Sequence, residues 1–219
     1  MPKKSALRAP LIDDLILPDL ASGYASDLVT GASFEATRFE GTDLSGMDLS
    51  DITFSECELI DVSALETQLR GVRFVESKIQ RLGASSLKAP GAVFRDVEIS
   101  DSRIGAGEWY DSEITSVRIT GSKLGWFNLR ACDIRDVHLV NCTIDDLDLG
   151  EARVDRLAFT GCSVNMLHLN GAQLRHVDLR DLQINGIDAL DGMRGATISS
   201  DQALHFANAF AGHLGIDVR

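Results

Sequence analysis

Asp145, Asp146, Asp148 and Glu151 crowd four carboxylates into one short run, the densest acidic cluster in the sequence. Carboxylates so placed can ligate a hard cation, act as an acid and base pair, or face a basic partner. A cation site needs a glycine-turned loop to wrap the ion, and none surrounds these residues, so a solvated acidic edge is the plainer reading. Cys57, Cys132, Cys142 and Cys162 are the other reactive groups. They lack CxxC spacing and share no pattern with a histidine, which favours small buried thiols over metal ligands. His138, His168, His176, His205 and His213 are scattered and read as outward, solvated side chains. No GxSxG, Walker, HExxH or dinucleotide-binding pattern occurs, and Gly105-Ala106-Gly107 falls inside the periodic region described next. The expectation is a protein that is not an enzyme and has no catalytic residue, metal or cofactor.

What positions these residues is a strict period of five. In the stretch RACDIRDVHLVNCTIDDLDLG, Ile134, Leu139, Ile144 and Leu149 recur every fifth residue, with Cys132, Val137, Cys142 and Leu147 each two residues ahead. A helix needs a period near 3.6 and a half-buried strand needs 2, so this is a repeat signature. Stepping by fives from Phe34 to Ile184 meets an apolar residue every time, with only Ala64, Ala84, Ala89 and Trp109 departing from Phe, Leu, Ile or Val.

The segments FEATRFEGTDLSGMDLSDITF, AVFRDVEISDSRI and NGAQLRHVDLRDLQI resemble the pentapeptide repeat family, whose consensus is A(D/N)LXX with the central Leu or Phe inward. The resemblance covers residues 32–191. It implies an all-β fold, a right-handed quadrilateral parallel β-helix of about eight twenty-residue coils. Every twentieth residue then forms a column, and one column reads Phe34, Phe54, Phe74, Phe94, Ile114, Ile134, Val154 and Leu174. That face-specific aromatic ladder supports the coil independently. From Ala92 on, the residue two before each centre alternates between mostly small and mostly large, so opposite faces share a size class and the interior is filled. Cys142 and Cys162 stack one coil apart, within disulfide range, although thiols filling a slot used elsewhere by Ala or Ser remain the preferred reading.

Three segments follow. Residues 1–28 form an N-terminal cap segment, in which Pro10 and Pro18 bracket LIDDLIL as an edge strand or helical turn over the open end of the first coil. Residues 29–191 form the solenoid, with a weak patch at Ala84, Ala89 and Pro90 that reads as a bulge, a dent or a flexible corner. Residues 192–219 form a C-terminal helix with Ser199 or Ser200 as N-cap; Ala203, Leu204, Ala207, Phe210, Ala211 and Leu214 share one face and Phe206 lies at its edge. Leu204, Phe206, Ala207, Phe210 and Leu214 are candidates for closing the last coil or for a homodimer contact, as the C-terminal segments of gyrase-inhibiting relatives imply. The tail also resembles those of many actinobacterial members grouped by sequence alone. With no signal-like or membrane-spanning run, a cytoplasmic location is expected.

The net charge of −12 argues against direct nucleic-acid binding, which needs a basic surface, and suggests basic protein partners. Related Qnr-type proteins that confer fluoroquinolone resistance are acidic rods that mimic B-DNA on DNA gyrase, so the resemblance implies a type II topoisomerase as a possible partner. Loops project from the Qnr-type coil, and no such insertion interrupts this sequence. On one face Asp48, Asp51, Glu108, Asp111, Asp148, Glu151, Asp188 and Asp191 oppose Arg70, Lys88 and Arg130, and Asp145 and Asp146 adjoin it. Over all faces the charge is about half that of duplex DNA of the same length, and Arg73, Arg95, Arg135, Arg153, Arg156 and Arg175 interrupt the Phe-ladder face. Trp126 and Met166 share an outward column with Asp146 between them, and Tyr110 faces out alongside; these are candidate anchors. The reading is a protein-binding rod, either a DNA-mimicking modulator of gyrase or a scaffold for an unrelated protein.

Overall fold

The computed structural model describes residues 6–219, so the first five residues of the expected N-terminal segment lie outside the described residues. The period of five becomes a right-handed parallel β-solenoid of about nine turns, in which each residue pairs with the one twenty positions on. The turns exceed the expected eight because short rungs at Ala21–Ser22 and Ala196–Thr197 extend the stack at either end. Two of the four faces merge into one 12-stranded sheet and the other two into a 7-stranded sheet. In the larger sheet, eight-residue strands such as Arg73–Gln80, Val93–Ser100 and Asp133–Val140 bend in the middle at a left-handed residue, as at Glu76, Asp96 and Asp136.

The fifth-residue centres fill the axis. Phe54 and Phe74 stack with ring centroids 5.0 Å apart, Phe74 and Phe94 at 5.5 Å, and the ladder then passes to Trp109 at 4.3 Å from Phe94. This handover explains the weak patch. The large indole of Trp109 takes the volume that Ala84 and Ala89, one coil earlier, leave free. Gly83–Lys88 pairs in register with Arg103–Glu108, so the patch is neither a bulge nor a break in the ladder.

The small residues two before each centre do more than fit. Leu82 N–H donates to Ser102 Oγ, Ser102 N–H to Ser122 Oγ and Cys142 N–H to Cys162 Sγ, at 3.1, 3.1 and 3.3 Å. Hydroxyls and thiols in this column thus satisfy buried amides at the corner, where a backbone group left unpaired would cost about 1–3 kcal/mol. All four cysteines are free and buried. Burial raises the Cys57 thiol and pushes Cys132 up to about 12, while a hydrogen bond with Cys162 and burial raise Cys142. Protonated thiols at Cys57, Cys132 and Cys142 suit the packing reading, whereas the hydrogen bond with Cys142 lowers the Cys162 thiol to about 7.

The N-terminal segment corrects its expectation. Only Ala21–Asp27 lies at the first coil; the residues before it run down the flank as an extended arm. Leu7 shares a cleft with His176 and Ile198 at the last coil, Leu11 N–H donates to Asp136 Oδ1 at 2.9 Å, Asp14 pairs with Arg118 at 3.2 Å, and Ala21 N–H reaches Ala36 at 2.9 Å. Residues 6–20 adopt no helix, and apolar Leu7, Ile12, Leu15, Leu17 and Leu20 find half-buried sites along the corner between the two bent halves of the large sheet.

At the other end the tail forms two short helices, α1 (Ser200–His205) and α2 (Ala207–His213), rather than one. Ser199 caps α1 in a capping box with Gln202. The same Gln202 side chain donates to the carbonyls of Leu179 and Leu182 at 2.6 and 2.7 Å, closing acceptors that the last coil would leave open. The expected apolar face is displaced: Phe206, placed at its edge, is buried and Phe210 packs on the core, whereas Leu204 and Leu214 are 75% and 72% exposed. The chain turns at Phe206, so the two helices present different faces to the core.

Candidate protein-interaction surface

The predicted acidic residues gather on one face and its edges, but in pairs rather than as an even line. Strand register aligns Asp48, Gln68, Lys88, Glu108, Asn128, Asp148, His168 and Asp188 in one outward column. Asp51, Asp111 and Glu151 occupy the adjoining left-handed corner, each beside an acid of that column. Asp191 sits in the short helical turn Leu190–Met193 after the last strand. Acid pairs therefore mark four coils, with neutral or basic residues between them.

Basic side chains offset part of that charge. Arg130 reaches Glu151 at 2.6 Å and Asp148 at 3.5 Å; His168 lies between Asp146 and Asp188 at 3.4 and 3.5 Å; Asp191 faces Arg194 and His213 at 3.2 and 3.4 Å. Asp48 accepts from Ser50 N–H and Oγ, and the Ser50 hydroxyl bond leads in holding its carboxyl below the usual range. Among the described residues, Asp51, Glu108, Asp111 and Asp145 have no ion-pair partner and form the freest negative charge on this side.

The aromatic candidates separate. Trp126 is 42% exposed, stacked between Ala106 and Asp146, with half-buried Met166 beyond Asp146. Tyr110 is half-buried at the neighbouring corner. Trp126 fits its corner because the backbone there, left-handed at Gly46 and Glu66, is extended in later coils and so accepts a bulky residue.

Of the arginines along the Phe-ladder face, Arg156 and Arg175 are engaged in fixed pairs that single residues did not foretell. Arg156 forks onto Asp136 at 2.5 and 2.6 Å and also reaches Asp155 at 2.8 Å, while Arg175 adds a second cation to Asp155. The arm lies over this cluster, which is why Asp136 and His176 are only 7% and 9% exposed, against the solvated histidine expected at His176. Burial alone would raise the Asp136 carboxyl, but the bonds from Arg156 and from Leu11 N–H outweigh it and hold the group below its ordinary value. A carboxylate whose folded value is depressed stabilises the fold above its unfolded value and loses that contribution as pH falls through the folded one. Thermal melts should therefore be flat near neutrality and fall below about pH 4. Asp136→Asn, which keeps an acceptor for Leu11, should lower stability at neutral pH and flatten that acid limb; an unchanged limb would remove Asp136 from the account.

Two small interior cavities, each of about 20 Å³, are lined by core residues such as Phe54, Phe94, Trp109 and Phe127, and a wider cleft of about 600 Å³ opens on the surface beside Arg135, Arg153, Asp155 and Arg175. Among the described residues no group of three or more His, Cys, Asp or Glu is placed to hold a metal ion, and no helix is long and apolar enough to cross a membrane.

Comparison with known proteins agrees with this architecture. The family profile described as "Pentapeptide repeats (8 copies)" matches residues 37–75, and "Pentapeptide repeat region" matches residues 112–188, together a little over half of the chain. No curated protein matches it. Among solved structures it is similar to a trypsin-treated variant of QnrB1, a plasmid-mediated fluoroquinolone resistance protein, at 20% identity over 90% of this chain and 94% of that one, with a TM-score of 0.37. Full-length QnrB1 aligns at 15% identity over 86% of this chain and 94% of its own, with a TM-score of 0.40. HetL, a pentapeptide repeat protein involved in heterocyst differentiation regulation from the cyanobacterium Nostoc sp. strain PCC 7120, aligns at 13% identity over 76% and 87%, also at 0.40. With its unbroken period of five, its stacked coils and matches to two profiles of this repeat, the chain belongs to the pentapeptide repeat proteins.

Proposed function

We propose that this protein is a non-enzymatic binding rod whose acidic side meets a basic surface on a protein partner. The observation that carries the reading is the set of acid pairs on one face, with Asp51, Glu108, Asp111 and Asp145 unmatched by cations among the described residues. In its most specific form the partner is a type II topoisomerase, whose DNA-binding surface is basic by necessity. Steering between a rod of net charge −12 and such a surface would weaken steeply with salt. Purified DNA gyrase should lose supercoiling activity as the rod is added. A variant carrying Glu108→Gln, Asp111→Asn and Asp145→Asn should inhibit several-fold less. Equal inhibition by both proteins would move the contact elsewhere, and none by either would reject gyrase as the partner.

The second reading is a scaffold for an unrelated protein, favoured by the interruption of the acid column at Lys88 and His168 and by the neutralising reach of Arg130. Trp126 is then the candidate anchor, as an exposed aromatic on a rigid corner. The exposed Leu204 and Leu214 of the C-terminal helices are candidates for a contact with a second copy.

A further inference from the structure

We propose that the N-terminal arm is exchangeable, and that two copies of this chain join at their first coils with each arm lying on the flank of the other copy. The arm runs antiparallel to the coil order. Leu7 is at the last coil, Leu11 and Asp14 are at Asp136 and Arg118 further up, and the rung Ala21–Ser22 is at the first. Between residues 6 and 20 it joins no sheet, and none of its side chains is fully buried; Leu11 and Ile16 are 73% and 89% exposed. Its attachment is a series of half-buried apolar contacts, one backbone hydrogen bond to Asp136 and one exposed ion pair. An ion pair with so exposed a partner holds the arm only weakly.

Geometry selects the occupant. Let a two-fold axis cross the rod at the first coil, through the corner where the arm enters beside Ala36. The partner's flank then continues the line of the first, with its coils in reverse order. An arm that swings outward at Leu17–Leu20 instead of folding back meets the partner's first coil first and its last coil last. Leu11 N–H arrives at the partner's Asp136 and Leu7 at the partner's His176, so every contact of the arm is made again, twice per dimer.

What the exchanged form adds is at the open end. The Ala21–Ser22 rung pairs only with Thr37–Arg38, which leaves its outer edge free, and Tyr24 and Val29 beside it are 65% and 58% exposed. Head-to-head contact covers those apolar groups, whereas the closed monomer leaves them in water. The competing term is the loss of translational freedom on association, together with the high effective concentration of an arm tethered to its own rod. Exchange is therefore concentration-dependent, and the end contact is what drives it.

The test uses the full chain and two single variants, Leu7→Cys and Arg175→Cys, whose positions line one cleft. The four native thiols are buried and give little background. After the two proteins are mixed, concentrated and treated with a short bis-maleimide, exchange yields a covalent heterodimer of both variants. The double variant Leu7→Cys/Arg175→Cys serves as the control for reach and folding, because it must link in either form. If it links only within one chain while the mixture stays unlinked, the proposal fails. Val29→Asp should cut the heterodimer yield several-fold and Leu204→Asp should not. The reverse pattern would place the contact at the C-terminal helices and overturn the assignment.

Discussion

Trp109→Ala is expected to lower the unfolding free energy by about 3–5 kcal/mol, towards the upper end of that range for an aromatic removed from a core. The indole is 2% exposed, stacked on Phe94 at 4.3 Å and edge-on to Phe127 at 5.0 Å. The coil before it offers only Ala84 and Ala89 at two of its inward positions, so neighbouring side chains cannot close the void. In a solenoid each coil is stabilised chiefly by its neighbours, so a hollow at mid-length should also uncouple the two halves. Urea unfolding followed by circular dichroism should show an earlier and broader, or split, transition. Trp109→Phe isolates the packing term. The Nε1 of Trp109 is buried without a partner, so losing it removes an unsatisfied donor, and the expected cost is about 1 kcal/mol. A Phe variant as damaged as the Ala variant would refute the volume argument.

Phe54→Ala should cost a similar 3–5 kcal/mol, by a different neighbourhood. Phe54 is 1% exposed, with Phe34 stacked on one side at 5.9 Å, Phe74 on the other at 5.0 Å, and Phe39 edge-on at 5.8 Å. Its removal forfeits contacts with three rings as well as the transfer free energy of its own. Phe34→Ala should cost visibly less, because Phe34 is half-buried near the open first coil and has a ring on only one side of the stack. Melting temperatures should thus rank wild type, Phe34→Ala, then Phe54→Ala. A Phe54→Ala protein that melts with wild type would mean that the ladder does not face inward.

The candidate interaction surface was legible only in outline. Asp48, Glu108, Asp148 and Asp188 could be assigned to one column because register is unbroken from Phe34 on, and strand pairing places them there. The partners that offset them could not be read. Arg130 reaches Glu151 twenty-one residues away and across a corner, and His168 reaches Asp146 across another, contacts set by side-chain reach and not by the period. The arm was the larger surprise. Residues outside a repeat carry no periodic signal, so composition alone suggested an end cap; the structure shows a flank strap that buries Asp136 and His176.

By itself the sequence determined the coil. A five-residue period of apolar centres marks a repeat whose centres stack inward, the resemblance to pentapeptide repeat proteins implies four such faces per coil, and the aromatic ladder at every twentieth residue supports it, with Ser and Cys positions lining the corners. Even the alanines at 84 and 89 were local, in-register features awaiting the indole of Trp109. Tertiary structure alone decided where the non-repeating ends go: the arm along the side, Phe206 inward and Leu204 outward, Gln202 on the last carbonyls. The physical reason is that repeat residues meet the same neighbours in every coil, so their environment is written in their spacing. The ends meet surfaces that exist only once the rod has formed.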